Sequence, residues 1–221
     1  MKKKIISLCL VVALGATAVI GGTLAYFTDK DEATNTFTVG NVDIVLDEAP
    51  VSREGDEWVA DNQADRVKEN EYEDIFPGAT LPKDPTVHNV GSYGAFVRVK
   101  ITTDFNKLAG MQADKQLFND ETKDGDLTKI LNIDAENWAF VDYEVDFDAR
   151  TVTYTYNYNT ELAAKTNTTA VFTEVSVPAF ITNEDVAAYG LNNFQINVVA
   201  EAIQADGFAD VAAAFAAYDA E

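Results

Sequence analysis

Few residues of this 221-residue chain could do chemistry, because it holds one histidine, His88, and one cysteine, Cys9. A zinc-peptidase helix needs two histidines four residues apart and a carboxylate base. His88 is instead followed by Asn89 in a segment that reads as strand, and the one cysteine, Cys9, lies inside the N-terminal apolar run rather than where it could substitute as a ligand. It is expected to be a polar strand residue, and a Ser-His nucleophile would have to rest on the same side chain. The chain has no G-x-S-x-G elbow, P-loop or glycine-rich dinucleotide turn. Asp120, Thr122, Asp124, Gly125 and Asp126 resemble the first half of an EF-hand loop, but Leu131 stands at the twelfth position, where a bidentate glutamate belongs. That leaves a weak calcium site from Asp120, Asp124 and Asp126, or an ordinary Asp-Gly turn. The expectation is no catalytic residue and no cofactor, with divalent cations bound weakly at most.

The chemistry that the sequence does support is processing. Lys2, Lys3 and Lys4 precede an uncharged apolar run from Ile5 to Ile20, followed by Gly21, Gly22, Thr23, Leu24 and Ala25. This is the three-part layout of a secretory signal. Thr23 and Ala25 are the small residues at the third and first positions before a cut, so cleavage is expected between Ala25 and Tyr26. The rival is an uncleaved anchor, since Ile5 to Thr28 could cross about 30 Å of hydrocarbon as a helix. Gly15, Gly21 and Gly22 weaken that helix. Leu8 before Cys9 argues against a lipoprotein.

The formal charge is −21, and removing residues 1–25 takes away three lysines and no acid, which brings the remainder to −24. Phosphate backbones and anionic lipid repel such a chain, so no nucleic acid is expected as partner and no membrane except through the uncleaved signal. Basic surfaces and divalent cations would be attracted. Residues 26–221 suit a single β-rich domain, large enough to bury roughly 70% of its unfolded surface. Cys9 leaves with the signal, so no disulfide is expected to hold it.

Elements that could position a site follow from alternation. Phe37 and Val39 share one face, Gly40 and Asn41 interrupt, and Val42, Ile44 and Leu46 repeat the pattern. A stretch at about 48–74 is dominated by acidic residues and reads as a solvated insertion. Phe76-Pro77-Gly78 marks a turn before a strand at Thr86–Val90. Ala95–Thr103 is the clearest strand, with Ala95, Val97, Val99 and Ile101 on one face and Arg98 and Lys100 on the other, where they should meet carboxylates. Short helices are expected over Asn106–Phe118 and Asp126–Ile133, a hairpin from Trp138–Phe147 and Thr151–Tyr158, and a strand over Thr169–Ile181 broken near Pro178. Asp185–Tyr189 reads as a helical turn, Phe194–Ala202 as an interior strand, and Phe208–Tyr218 as an amphipathic helix. Many short strands, with helices confined to connections and the C-terminus, predict a mainly β fold: a two-sheet antiparallel sandwich.

The stretches GGTLAYFTDK and NTFTVGNVDIVL resemble the start of the TasA and camelysin family of exported proteins of Gram-positive bacteria. Phe76–Ile101 and Phe194–Phe208 are similar to recurring blocks of related exported proteins. The resemblance implies a jelly-roll-like sandwich, a signal read by a SipW-type signal peptidase, and a secreted product in the matrix or at the cell surface. It further implies a fibre subunit whose partner is a second copy of itself, joined by donor-strand exchange. The donor would be the freed N-terminal segment, with Phe27, Phe37 and Val39 as its apolar residues. The chain ends AAYDAE without an apolar tail, so retention is expected through assembly or a cell-surface anchoring protein. A camelysin-like surface metallopeptidase and a monomeric exported binding module are the rival functions.

Overall fold

The computed structural model of the chain describes residues 28–31, 42–115 and 127–220. The strands of the first half are β1 (Thr28–Asp31), β2 (Ile44–Asp47), β3 (Val51–Glu54), β4 (Glu57–Ala60), β5 (Thr80–Pro82), β6 (Thr86–Asn89) and β7 (Ala95–Asp104). Helix α1 (Phe105–Gly110), β8 (Trp138–Asp146), β9 (Thr151–Tyr158), β10 (Glu174–Ser176), α2 (Asn183–Tyr189), β11 (Asn197–Gln204) and α3 (Val211–Tyr218) complete the chain.

Five strands form one antiparallel sheet in the order β1, β11, β7, β9, β8. The second layer is built on the run from β5 through β6. It pairs with β2 on one side and with residues 166–176 on the other, through bonds such as Asn89 N to Thr166 O, Thr168 N to Val87 O and Lys83 N to Thr173 O. A bridge between Leu131 and Val175 adds one more extended segment. The expected two-sheet antiparallel sandwich is what the chain forms.

Alternation explains the core. Ala95, Val97, Val99 and Ile101 of β7 are fully buried and meet Ala200 and Ala202 of β11, Tyr154 and Tyr156 of β9, and Val87, Val171 and Phe172 of the second layer. In β8 a bulge between Phe140 and Asp142 offsets the alternation by one residue. Phe140 and Tyr143 are therefore both cross-strand partners of core-facing tyrosines, Tyr156 and Tyr154.

The opposite face of the large sheet is covered by α3. Arg98 stands directly across from Glu201 and bonds it through Nε, while its two terminal nitrogens take both oxygens of Asp219 just beyond α3. Its guanidinium lies 4.4 Å from the ring centre of Phe215 and 5.2 Å from that of Tyr218. Lys100 also reaches Glu201, at 3.3 Å. Burial alone would lower the Arg98 pKa, but bonds to Asp219 and Glu201 raise it, so the charge is firmly held. The expected pairing of Arg98 and Lys100 with carboxylates is thus present.

Three elements differ from expectation. Helix α1 stops at Gly110, although apolar spacing continues to Leu117 and Phe118, which lie outside the described residues. Asp126–Ile133 supplies only a 3-10 turn, Leu127–Lys129, because the following backbone is drawn into sheet bonding: Ser176 N donates to Ile130 O at 2.8 Å. The acidic insertion is folded rather than only solvated. Its hairpin β3–β4 turns at Gly55, whose φ of +67° glycine adopts without strain, and Trp58 packs edge-on against Tyr72.

Replacing Arg98 by Ala would leave the buried Glu201 carboxylate without its guanidinium. Urea unfolding should show a loss of about 3–5 kcal/mol; a change below about 1 kcal/mol would mean that the helix is held by its apolar contacts alone.

Candidate functional site

His88 lies on β6 with its side chain turned away from the core, and its register partner on β2 is Val45. Asp47, two residues along β2 on the same face, brings its Oδ1 to 2.7 Å from His88 Nε2. That carboxylate is shared, because Arg66 of the insertion binds Asp47 and also reaches Asp84 Oδ2 at 2.9 Å and the carbonyls of Asp47 and Asp84 at 3.1 and 2.9 Å. Burial opposes the Arg66 charge, but hydrogen bonds to Asp47 and Asp84 raise its pKa overall. Beside it Lys83 pairs with the buried Glu48, and the Tyr72 hydroxyl donates to the Pro82 carbonyl. Burial, followed by the nearby carboxylates of Glu48 and Asp84, pushes the Tyr72 pKa well up.

A shallow pocket of about 350 Å³ adjoins His88, with Val45, Asp47, Val90, Lys165 and Asn167 on its walls. As a metal centre it is poorly furnished. The imidazole is engaged by an aspartate already committed to an arginine, and among the described residues no three histidine, cysteine, aspartate or glutamate side chains converge. The residues Asp120, Asp124 and Asp126 lie outside the described residues. What the arrangement around His88 does is fasten the insertion to β2, β5 and β6.

A larger cleft of about 560 Å³ runs between the inner face of β8 and β9 and the segment 128–135, with Trp138, Phe140, Tyr143, Tyr154 and Tyr156 on one wall. Sequence reading missed it, although the density of aromatics from Trp138 to Tyr158 was the available signal.

The processing residues Thr23, Ala25 and Tyr26, and the donor residues Phe27, Phe37 and Val39, lie outside the described residues. Within the proposed donor segment, β1 pairs in the same chain with β11: Thr28 opposes Ile203, Asp29 Ala202, Lys30 Glu201 and Asp31 Ala200. The residues that follow, Ile44–Asp47, pair with β6 in the same chain. So β11 is flanked on both sides, by β7 within the sheet and by a four-residue strand at the margin.

Camelysin metallo-endopeptidases match this chain over residues 1–139. The chain belongs to the camelysin family. The resemblance to TasA and camelysin drawn from the N-terminal residues is thereby borne out, and membership supports an exported, cell-surface protein. No curated protein and no solved structure matches the chain. The camelysin match covers the signal-like segment, the insertion, β5 to β7 and the start of β8, and so includes His88, Asp47, Arg66 and Asp84, but not Asn167, which bridges His88 from the neighbouring segment. Among the described residues no helix is long and apolar enough to cross a membrane.

Tyr72 gives the docked insertion a pH signature. Its folded pKa lies above the ordinary value of 10.0, so in alkali the unfolded chain loses this proton first. Its contribution to stability is full below about pH 10 and is lost as pH rises through the folded pKa. Thermal unfolding between pH 9 and 11 should therefore show a falling Tm for the native chain and a flatter profile for Tyr72→Phe; superimposable profiles would mean that the phenol is not what titrates.

Proposed function

We propose that this chain is an exported, non-enzymatic structural subunit that polymerises by strand exchange at the outer edge of β11. The observation that carries this reading is the character of the strand occupying that edge. Thr28–Asp31 has the sequence TDKD, a poor β-former, and its register places Asp29 and Asp31 opposite the buried Ala202 and Ala200. A few residues on, TFTVG (Thr36–Gly40) alternates Phe37 and Val39 with threonine, and large apolar side chains opposite two alanines would complement the edge far better. In an isolated subunit the weak strand closes the edge; in a filament the better segment of a neighbour takes its place.

Export through the N-terminal signal and cleavage after Ala25 by a SipW-type peptidase would free Tyr26 and the segment behind it. A cell-surface anchoring protein would fix the first subunit. Assembly by donation from one copy to the next does not close, and so gives fibres.

Changing Phe37 to Asp should leave the circular dichroism of a folded β protein intact while abolishing fibres in negative-stain micrographs. Normal fibres from the Phe37→Asp chain would remove strand exchange from this account.

The name of the family favours one other reading, a metal-dependent endopeptidase. On the structural reading, the purified chain leaves casein intact over long incubation. Hydrolysis that co-purifies with the chain, stops with chelator and is absent from His88→Ala would establish the enzyme instead.

A further inference from the structure

The segment from β5 to β6 runs the length of the second sheet, so its two ends lie roughly 30 Å apart. Each end carries large apolar side chains in solvent. At the first, Phe76, Pro77, Gly78 and Ala79 form a turn closed by Ala79 N to Phe76 O, with Gly78 at φ +89° as a type II turn requires. A second turn, Pro178 to Ile181, is joined to it by Gly78 N to Val177 O and Val177 N to Ala79 O, both 2.8 Å. Phe76 is 45% exposed, Phe180 42% and the adjacent Ile75 44%. These rings are held in place: each sits on a proline-containing turn, and Lys115 Nζ lies 4.8 Å from the Phe180 ring centre while bonding Asp185 at 2.7 Å. Aromatic side chains fixed in solvent by rigid backbone are the anchors that protein interfaces use.

At the other end, the loop after β6 exposes Val90 and Tyr93, the latter to 48%. The buried Asn89 fixes this loop, donating from Nδ2 to Tyr93 O at 2.8 Å and accepting from Gly91 N at 3.0 Å. Ala205 N donates to Gly94 O, and Thr28 opposes Ile203, two residues before Ala205. Val90 N and Gly91 N both donate to Asp43 O, at 2.8 and 3.0 Å, so the described chain resumes at Val42 at this same second end, beside Val90 and Tyr93.

We propose that the Ile75, Phe76 and Phe180 end of one copy is the docking surface for the Val90 and Tyr93 end of a second copy. The inference rests on the strand-exchange reading and adds the partner surface to it. A donor segment that leaves at the second end reaches only a copy lying beyond that end. The contact is head to tail, because the two ends carry different residues, and it repeats without closing. It also joins acidic subunits through apolar ends, where desolvation opposes their mutual repulsion.

The test uses short bismaleimide cross-linking in a Cys9→Ser background, which removes the natural thiol. Chains carrying Phe76→Cys and Tyr93→Cys are mixed after export and purification, under conditions in which the unmodified chain forms fibres. Cross-linked heterodimers from the mixture, with monomer from either chain alone, are expected, and a chain carrying both cysteines should give a ladder. Ile75→Cys replaces Phe76→Cys if circular dichroism shows the latter unfolded. Homodimers from either chain alone, or no heterodimer in the mixture, overturn the head-to-tail contact. Micrographs of the same samples separate the two ideas: fibres without heterodimer leave strand exchange standing with a different packing, whereas absence of both fibres and heterodimer removes both.

Discussion

A charge buried in the middle of a sheet has to be answered on the spot, and one whole face of this protein is arranged around that requirement. Arg98 sits on β7, the strand whose other face is the centre of the core, and it is answered from two directions. Glu201 comes from the neighbouring strand and Asp219 from the end of α3. The same guanidinium packs on Phe215 and Tyr218, so the C-terminal helix is held by charge and ring contacts at one point. Once there, it shields Phe96 and Ile203, which would otherwise be apolar side chains on an open face.

The insertion repeats that solution on the second sheet. Arg66 ties Asp47 to Asp84, Lys83 reaches Glu48, and the hairpin β3–β4 is drawn against β5. In a chain with 16 basic and 37 acidic residues, cations are the scarce component, and the best-placed ones join carboxylates from distant parts of the sequence. His88 belongs to this scaffold through Asp47, which is a structural use for the only imidazole in a member of a family named for metal-dependent peptidases.

Acidity also bears on assembly. In the proposed assembly like-charged copies would repel one another at long range, so contact between them would rest on features that act at short range: backbone pairing along an edge, and apolar surface at the ends. The marginal strand at the β11 edge and the exposed rings at the two ends of the second sheet are features of those two kinds.

The sequence alone determined the layers, because period-two alternation in Ala95–Ile101 and the turn residues between strands follow directly from pleat geometry. It also determined family membership, through the N-terminal blocks, and the hairpin from Trp138 to Tyr158. Its misjudgements share a cause. Leu108 to Phe118 and Leu127 to Ile133 have helical spacing, yet α1 ends at Gly110 and the backbone at Ile130 and Leu131 bonds to the sheet instead. The acidic insertion is largely exposed, as its composition implied, but its fastening was not legible because its partners, Asp47, Asp84 and Pro82, are remote in sequence from Arg66 and Tyr72. Pairing partners, the roof over Arg98 and the placement of Phe76 and Tyr93 at opposite ends were decided only in the tertiary structure. Each depends on which distant segments share a surface, and local periodicity carries no record of that.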